Sequence, residues 1–125
     1  MPAHASIRSA AAIGAAVGLL VAASQAQAHA RLVSATPAAN ATVGAPKTIT
    51  LRFSEAVVPK FSGADLMKSD GALLPVTSSV PADDHKTVTL TPKGVLAPGS
   101  YMVMWHAAAA DDGHRTKGDF SFIVK

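Results

Sequence analysis

The chain has 125 residues, with 11 Lys or Arg against 8 Asp or Glu and a formal net charge of +3. The basic residues are scattered and form no run, which argues against a nucleic-acid partner. Because the sequence contains no cysteine, disulfide bonds are excluded and no metal ion can be bound through a thiolate.

Residues 1–28 have the order of regions that is typical of a secretory signal peptide. Arg8 precedes an apolar run over residues 10–23, and the small-x-small sequence Ala26-Gln27-Ala28 follows. The run is shorter than the roughly 20 residues that a membrane-spanning helix needs, and an uncleaved membrane anchor is the alternative. We therefore predict export, cleavage after Ala28 and one mature domain over residues 29–125, which has 125 − 28 = 97 residues.

The mature sequence alternates between apolar and polar residues in short segments that turn residues separate. Residues 47–53 give the clearest strand, with Ile49, Leu51 and Phe53 on one face. Asp70-Gly71 is a hairpin signal, and Pro75 places the strand after it at a sheet edge. The expected strands are 30–36, 47–53, 61–69, 73–77, 87–91, 100–108 and 118–124, with polar loops at 78–86 and 111–117.

This pattern has no helical period and predicts an all-β protein. Seven strands in about 100 residues are typical of a seven-stranded antiparallel Greek-key β-sandwich, Ig-like or cupredoxin-like. Phe61 is a candidate inward residue of the third strand. In the sixth strand, Met102, Met104 and His106 lie on the face opposite Tyr101.

Cleavage after Ala28 makes His29 the terminal residue. Its α-amine and imidazole have ordinary pKa values of about 7.7–8.0 and 6.5, so both give up their protons to a metal ion near neutral pH. The amine and the near ring nitrogen can close one chelate ring on a divalent ion. This prediction depends on cleavage, since the same nitrogen is an amide in the precursor. The alternative is that a histidine is merely tolerated at the cleavage site.

Asp112-Gly113-His114 is the second candidate ligand group. In an extended segment residues two apart point to the same side, and Gly113 lets the backbone bend between them. Together with the amine and imidazole of His29, one carboxylate and one imidazole make an N3O set, which Cu(II) prefers. A solvated turn is the alternative interpretation, and Asp111 is the competing carboxylate.

Several stretches agree in order and spacing with one known family. They are His29-Ala-Arg-Leu, Leu51-Arg-Phe-Ser-Glu55, Tyr101-Met-Val-Met-Trp105, Asp112-Gly-His114 and Gly118-Asp-Phe-Ser-Phe122. Over nearly its whole mature length the chain resembles the CopC family of periplasmic copper-binding proteins. The resemblance implies a Greek-key sandwich similar to cupredoxins that binds one Cu(II) per chain through an N-terminal histidine brace, an Asp and a His. Carried over, the metal ligands are His29, Asp112 and His114, and Glu55 hydrogen-bonds the terminal imidazole, which fixes the ring and raises its basicity.

The same resemblance implies a periplasmic protein that buffers or carries copper for resistance or homeostasis, without catalysis. Its implied partner is an inner-membrane copper transporter of the CopD type, and we expect a monomer. Some members of the family have a Cu(I) site in a Met-rich loop with a His, but here residues 61–85 contain one methionine, Met67. We therefore expect no methionine Cu(I) site, a solvated His85 and a strand residue at His106.

Two other classes of function are the alternatives. A histidine brace is also the copper site of polysaccharide monooxygenases, so a small copper oxidase or monooxygenase is one of them. Against it, a domain of this size with one Tyr and one Trp offers little surface for a sugar, and an Asp ligand opposes the reduction to Cu(I) that oxygen activation needs. A metal-free interaction module fits the strands and turns equally well, and Zn(II) or Ni(II) could occupy the same ligands.

Overall fold

The computed structural model describes residues 29–125, which form a sandwich of two β-sheets. The predicted signal peptide, residues 1–28, lies outside the described residues. Within residues 29–125 no helix is long and apolar enough to cross a membrane, and the only helical element there is the 3-10 turn Pro59–Phe61. The strands are β1 (Leu32–Thr36), β2 (Thr42–Val43), β3 (Ile49–Phe53), β4 (Gly63–Lys68), β5 (Leu73–Leu74), β6 (Val76–Ser79), β7 (Thr87–Pro92), β8 (Gly99–Ala108) and β9 (Arg115–Val124).

The two sheets have the strand orders β1-β3-β7-β6 and β2-β9-β8-β4-β5. Their paired strands are antiparallel except for β2 and β9, which are parallel. The longest hairpin is made by β8 and β9, which stay in register from Gly99 opposite Val124 to Ala108 opposite Arg115. The all-β sandwich predicted from the alternating segments is therefore confirmed.

One apolar core fills the space between the sheets. The alternation of β3 buries Ile49, Leu51 and Phe53, as its period of two predicted. Removing a side chain of this size from water contributes about 1.5–3 kcal/mol to stability. The largest fully buried side chains are Phe53, Phe122, Ile49, Leu51, Leu66, Leu90, Val57, Val88 and Val103.

The described chain has nine strands where the sequence predicted seven. One addition is β2, whose two residues pair with the end of β9. The other arises at Pro75, which has no backbone N–H and divides the predicted strand 73–77. Its first part, β5, joins the five-stranded sheet, and its second part, β6, joins the four-stranded sheet. Both parts are edge strands, as the proline predicted.

Three local predictions were wrong. Phe61 does not face inward: it is 47% exposed at the end of the 3-10 turn, where the Arg115 guanidinium lies 5.0 Å from its ring centroid. The polar loop predicted at 78–86 begins later, because Ser78 and Ser79 pair with β7. The loop predicted at 111–117 ends earlier, because residues 115–117 pair with β8. In both strands backbone pairing outweighs the polar character of the side chains.

One end of the sandwich brings three segments together: the residues before β1, the segment 54–57 after β3, and the loop 109–114 between β8 and β9. The Ser54 N–H donates to the Arg31 carbonyl at 2.8 Å, and the Ala110 N–H donates to the Ala56 carbonyl at 2.9 Å. Segment 54–57 is therefore bonded to the N-terminal residues on one side and to the loop on the other. This end carries every residue that the sequence predicted for the metal site.

Candidate metal centre

The loop 109–114 carries two of the predicted ligands. The Gly113 N–H donates to the Ala109 carbonyl at 2.8 Å, and the Ala109 N–H donates to the His114 carbonyl at 2.9 Å. Gly113 has a φ of 72°, in the left-handed region that glycine adopts without steric cost. Asp112 Oδ1 accepts the His114 N–H at 2.9 Å, as aspartates commonly do in turns. The loop is thus fixed by its own hydrogen bonds, and it leaves His114 exposed.

The N-terminal residues are tied down directly after His29. Ala30 is fully buried, and its carbonyl accepts a hydrogen bond from the Thr116 hydroxyl at 2.9 Å. The Arg31 N–H donates to Ser54 Oγ at 3.0 Å, and the Arg31 carbonyl accepts the Ser54 N–H. Ala30 and Arg31, the two residues after His29, therefore hold the backbone from which His29 extends.

The imidazole rings of His29 and His114 lie against each other. Their centroids are 3.8 Å apart and their planes differ by 18°. His29 is half-buried, and among the described residues its Nδ1 is buried without a hydrogen-bond partner. The fold therefore joins two of the three predicted ligands, which come from opposite ends of the mature sequence.

Glu55 lies beside the N-terminal residues. Leu32 pairs with Phe53, and Arg31 is bonded to Ser54, so Glu55 directly follows the residue that holds the segment before β1. Glu55 Oε2 is buried, with no hydrogen-bond partner within residues 29–125. Buried polar atoms are nearly always paired, because an unpaired one costs free energy. The unpaired oxygen marks this carboxylate as an acceptor that is available to a donor at the site.

The third predicted ligand is not grouped with the two histidines. Between residues 29 and 125 no three His, Asp or Glu side chains are arranged as a metal-binding cluster. The Asp112 carboxylate instead accepts the backbone N–H of His114. Its competitor Asp111 is exposed and lines an open depression with Glu55 and Lys86. The ligand role of Asp112 therefore stays a prediction.

The other side chains that could bind a metal lie outside this group. His85 and His106 are both exposed. Met67 pairs with Met102 across β4 and β8, and Met104 lies two residues further along the same face of β8. These three methionines are half-buried on the outer face of the five-stranded sheet. They belong to strands β4 and β8 and not to a loop.

Asp84 holds the loop before β7 in place. Its carboxylate accepts the Thr87 hydroxyl at 2.8 Å and the Lys86 N–H at 3.0 Å, and it lies 3.3 Å from the Arg52 guanidinium. The hydrogen bond from Thr87, followed by that from Lys86, lowers the pKa of Asp84 below its ordinary value of 3.8. The Lys86 carbonyl accepts the Phe53 N–H at 2.7 Å, so this loop supports the strand that leads to Glu55.

Sequence reasoning missed Ser54 and Thr116, which hold the residues beside His29. Hydroxyl residues are common on strands, and no motif sets these two apart from the others. Their contacts become visible only when the strand register and the path of the N-terminal residues are known. The signal that could have found Ser54 is its place directly before Glu55.

Comparisons with known proteins agree with the architecture and give the family. The CopC domain family matches residues 32–125, a range that contains Glu55, Asp112 and His114 and begins after His29. Copper resistance protein C of Xanthomonas campestris pv. juglandis is 38% identical over 115 residues, which cover 87% of this chain and 90% of that protein. Protein YobA of Escherichia coli strain K12 is 44% identical over 78% of this chain and 80% of its own length.

Solved structures of CopC and PcoC proteins have a similar fold. CopC from Methylosinus trichosporium OB3b superposes with a TM-score of 0.73 at 36% identity, covering 78% of this chain and 94% of its own. PcoC from Escherichia coli, described as a methionine-rich copper resistance protein, superposes with a TM-score of 0.71 at 35% identity, covering 78% of this chain and all of its own. With the sandwich, the domain match and these relatives in agreement, the chain belongs to the CopC family of copper resistance proteins.

Proposed function

We propose that residues 29–125 are a periplasmic Cu(II)-binding protein that buffers or carries copper for resistance or homeostasis. One Cu(II) per chain is held by the terminal amine and imidazole of His29 together with Asp112 and His114. Glu55 accepts a hydrogen bond from the His29 ring and fixes its orientation. This function needs affinity for the ion and access to it, so we propose no enzymatic activity.

The observation that carries the proposal is the contact between the His29 and His114 rings, at 3.8 Å between centroids. Bonds between a metal ion and imidazole nitrogens are about 2 Å long, so two rings can share an ion only if the fold makes them neighbours. The Nδ1 of His29 is the ring nitrogen that forms a chelate with the terminal amine, and no described residue makes a hydrogen bond to it. The two histidines are therefore close enough to serve one divalent ion, once the stacked rings turn so that a nitrogen of each points at it.

Asp112 completes the set of ligands by giving up its hydrogen bond from the His114 N–H and binding the ion instead. A hydrogen bond from a backbone N–H to a carboxylate is worth about 1.5–3 kcal/mol net. Metal binding at protein sites is far stronger, with about 10–16 kcal/mol for structural zinc in small domains. The turn contact between Asp112 and His114 is therefore no barrier to coordination, and it keeps the carboxylate within the same short loop as the imidazole.

The proposal extends to processing and partners. Cleavage after Ala28 is required, because it converts the amide of His29 into an amine. The signal-like segment 1–28 supports export to the periplasm. A monomer that meets an inner-membrane transporter of the CopD type would let copper leave through the exposed His114 side of the site.

The test is a Cu(II) titration of protein that begins at His29, followed by Trp105 emission and by electron paramagnetic resonance. The comparison protein has one extra alanine before His29, which removes the free amine from the histidine and changes nothing else. We expect one equivalent of tightly bound type 2 Cu(II) with nitrogen coupling, and much weaker binding by the extended protein. His114→Ala should weaken binding, and His85→Ala serves as its matched control in an exposed loop.

Equal affinity of the two proteins would remove the terminal amine from the ligand set. Equal affinity of His114→Ala and His85→Ala would remove the loop 109–114 from it. If the protein that begins at His29 takes up no stoichiometric Cu(II), the proposed function is wrong and the domain is better regarded as an interaction module.

A further inference from the structure

The residues after His29 are anchored by two hydroxyl groups from different strands. Thr116 in β9 donates its hydroxyl to the Ala30 carbonyl at 2.9 Å. Ser54, directly after β3, accepts the Arg31 N–H on its Oγ at 3.0 Å and returns its own N–H to the Arg31 carbonyl at 2.8 Å. Ala30 between them is fully buried. After the proposed cleavage these residues are a chain end, which is poorly ordered unless such contacts tie it down.

The two hydroxyls connect His29 to the other parts of the candidate site. Thr116 is two residues beyond His114 in the same chain segment, and Ser54 immediately precedes Glu55. The bond from Thr116 therefore joins the segment that carries one histidine to the segment that carries the other. The Ser54 contacts join the same N-terminal residues to the segment that carries the unpaired Glu55 oxygen.

We propose that Thr116, assisted by Ser54, is a positioning residue that holds His29 in place for the metal ion before the ion arrives. The inference rests on the proposed Cu(II) function and adds to it the residue that preorganises the terminal ligand. Thr116 does not touch the ion. It acts through the Ala30 carbonyl, whose burial leaves few other donors within reach once the hydroxyl is removed.

Side-chain hydrogen bonds extend the anchoring beyond the end of the strand. β1 begins only at Leu32; before it, Arg31 keeps a backbone bond from the Ser54 N–H to its carbonyl, and the Ala30 carbonyl is held by the Thr116 hydroxyl. If the residues before β1 were free to move, ordering His29 would cost part of the binding free energy each time an ion is bound. A ligand that is already ordered avoids this cost, so losing the anchor should weaken binding without changing the ligand set.

The experiment compares Thr116→Val, which removes the hydroxyl at nearly constant volume, with Thr116→Ser, which keeps it. The matched control is Thr77→Val on the exposed edge strand β6. A net loss of one neutral hydrogen bond corresponds to about 3- to 10-fold weaker Cu(II) binding. We expect that loss in Thr116→Val, recovery in Thr116→Ser and no change in Thr77→Val, with the nitrogen coupling of bound Cu(II) retained throughout.

A second readout needs no metal. Amide hydrogen exchange of Arg31 in the metal-free protein reports opening of the N-terminal segment, and that of Leu66 reports opening of the core. We expect faster exchange at Arg31 alone in Thr116→Val. Unchanged exchange at Arg31 together with unchanged Cu(II) affinity would overturn the inference, as would equal acceleration at Leu66, which means global destabilisation. If Thr116→Val does not fold, Ser54→Ala tests the same anchor by the same two measurements.

The two proposals fail separately. If the unmodified protein binds no Cu(II), the proposed function is wrong, and the role of Thr116 toward the ion is wrong with it. If the unmodified protein binds Cu(II) tightly and Thr116→Val binds it equally well, the function stands and the positioning role is refuted.

Discussion

Replacing Gly118 by alanine tests how tightly the five-stranded sheet is packed near the site. Gly118 pairs with Trp105 across β9 and β8. A Cβ atom at position 118 would lie 2.6 Å from Cζ2 and 2.9 Å from Cε2 of the indole. Ordinary contact begins at 3.4 Å, so restoring it requires a shift of 3.4 − 2.6 = 0.8 Å.

The indole cannot move freely, because its other neighbour is a core residue. It packs edge-on against Phe53 at 5.3 Å between centroids, and Phe53 is only 1% exposed. Overpacking of this kind costs about 1–3 kcal/mol, from which about 0.4–1 kcal/mol is recovered because alanine restricts the unfolded chain. The middle of these ranges gives an expected net loss of about 1.3 kcal/mol, or roughly 5–10 °C in Tm for a domain of this size.

Thermal and urea unfolding measure the loss, and emission of the single tryptophan measures the ring displacement. Gly94→Ala is the matched control, since a Cβ atom there meets nothing within 4 Å and should leave both stability and emission nearly unchanged. If Gly118→Ala is as stable as the unmodified protein and its emission is unshifted, the close packing of Trp105 on Gly118 is wrong.

Two further predictions concern carboxylates. Glu55→Gln keeps the shape of the side chain and removes its negative charge, and it should weaken Cu(II) binding about 10-fold, as the loss of an outer partner of a metal ligand does. Asp65→Asn on the exposed face of β4 is the control. If Glu55→Gln binds Cu(II) as tightly as the unmodified protein, this role of Glu55 is excluded. Asp84→Asn should lower stability at pH 7. Because the folded-state pKa of Asp84 is lowered, its contribution is present above the ordinary value of 3.8 and is lost as pH falls through the folded-state pKa. The urea midpoints of the two proteins should therefore converge as pH falls below 3.8, and a gap that stays constant over the acid range would contradict this account.

The strands that could be predicted from sequence are those whose side chains alternate into the core. The period of two located Ile49, Leu51 and Phe53 correctly, because one face of β3 is buried and the other is not. β2 could not be found in this way. It is held by long-range bonds, in which the Lys125 N–H donates to the Val43 carbonyl at 2.9 Å and the Ile123 N–H donates to the carbonyl of the preceding residue, Ala41, at 2.8 Å. Such pairing depends on where the β2 segment meets the end of β9, which no local pattern records.

The same distinction applies to the candidate site. His29 and His114 were predicted from chemistry and from resemblance to a family, and the structure sets their rings in contact. The chain spacing of these two residues says nothing about that contact, since it depends on the register of β1, β3 and the β8–β9 hairpin. For Asp112 the sequence left two interpretations open, a metal ligand and a solvated turn, because a turn hydrogen bond and a metal bond use the same carboxylate oxygens.

At this end of the sandwich, one set of groups fixes the backbone and another set is available to an ion, as the proposed binding and release of copper requires. Backbone and hydroxyl hydrogen bonds fix the segments that carry the ligands, through Ala56 for the loop 109–114 and through Ser54 and Thr116 for the N-terminal residues. Two of the proposed ligand side chains remain open, since Asp112 and His114 are exposed, whereas His29 is half-buried. A rigid frame keeps the cost of ordering the ligands low, which favours affinity. Open ligands allow a partner's side chain to displace them one at a time, which favours transfer.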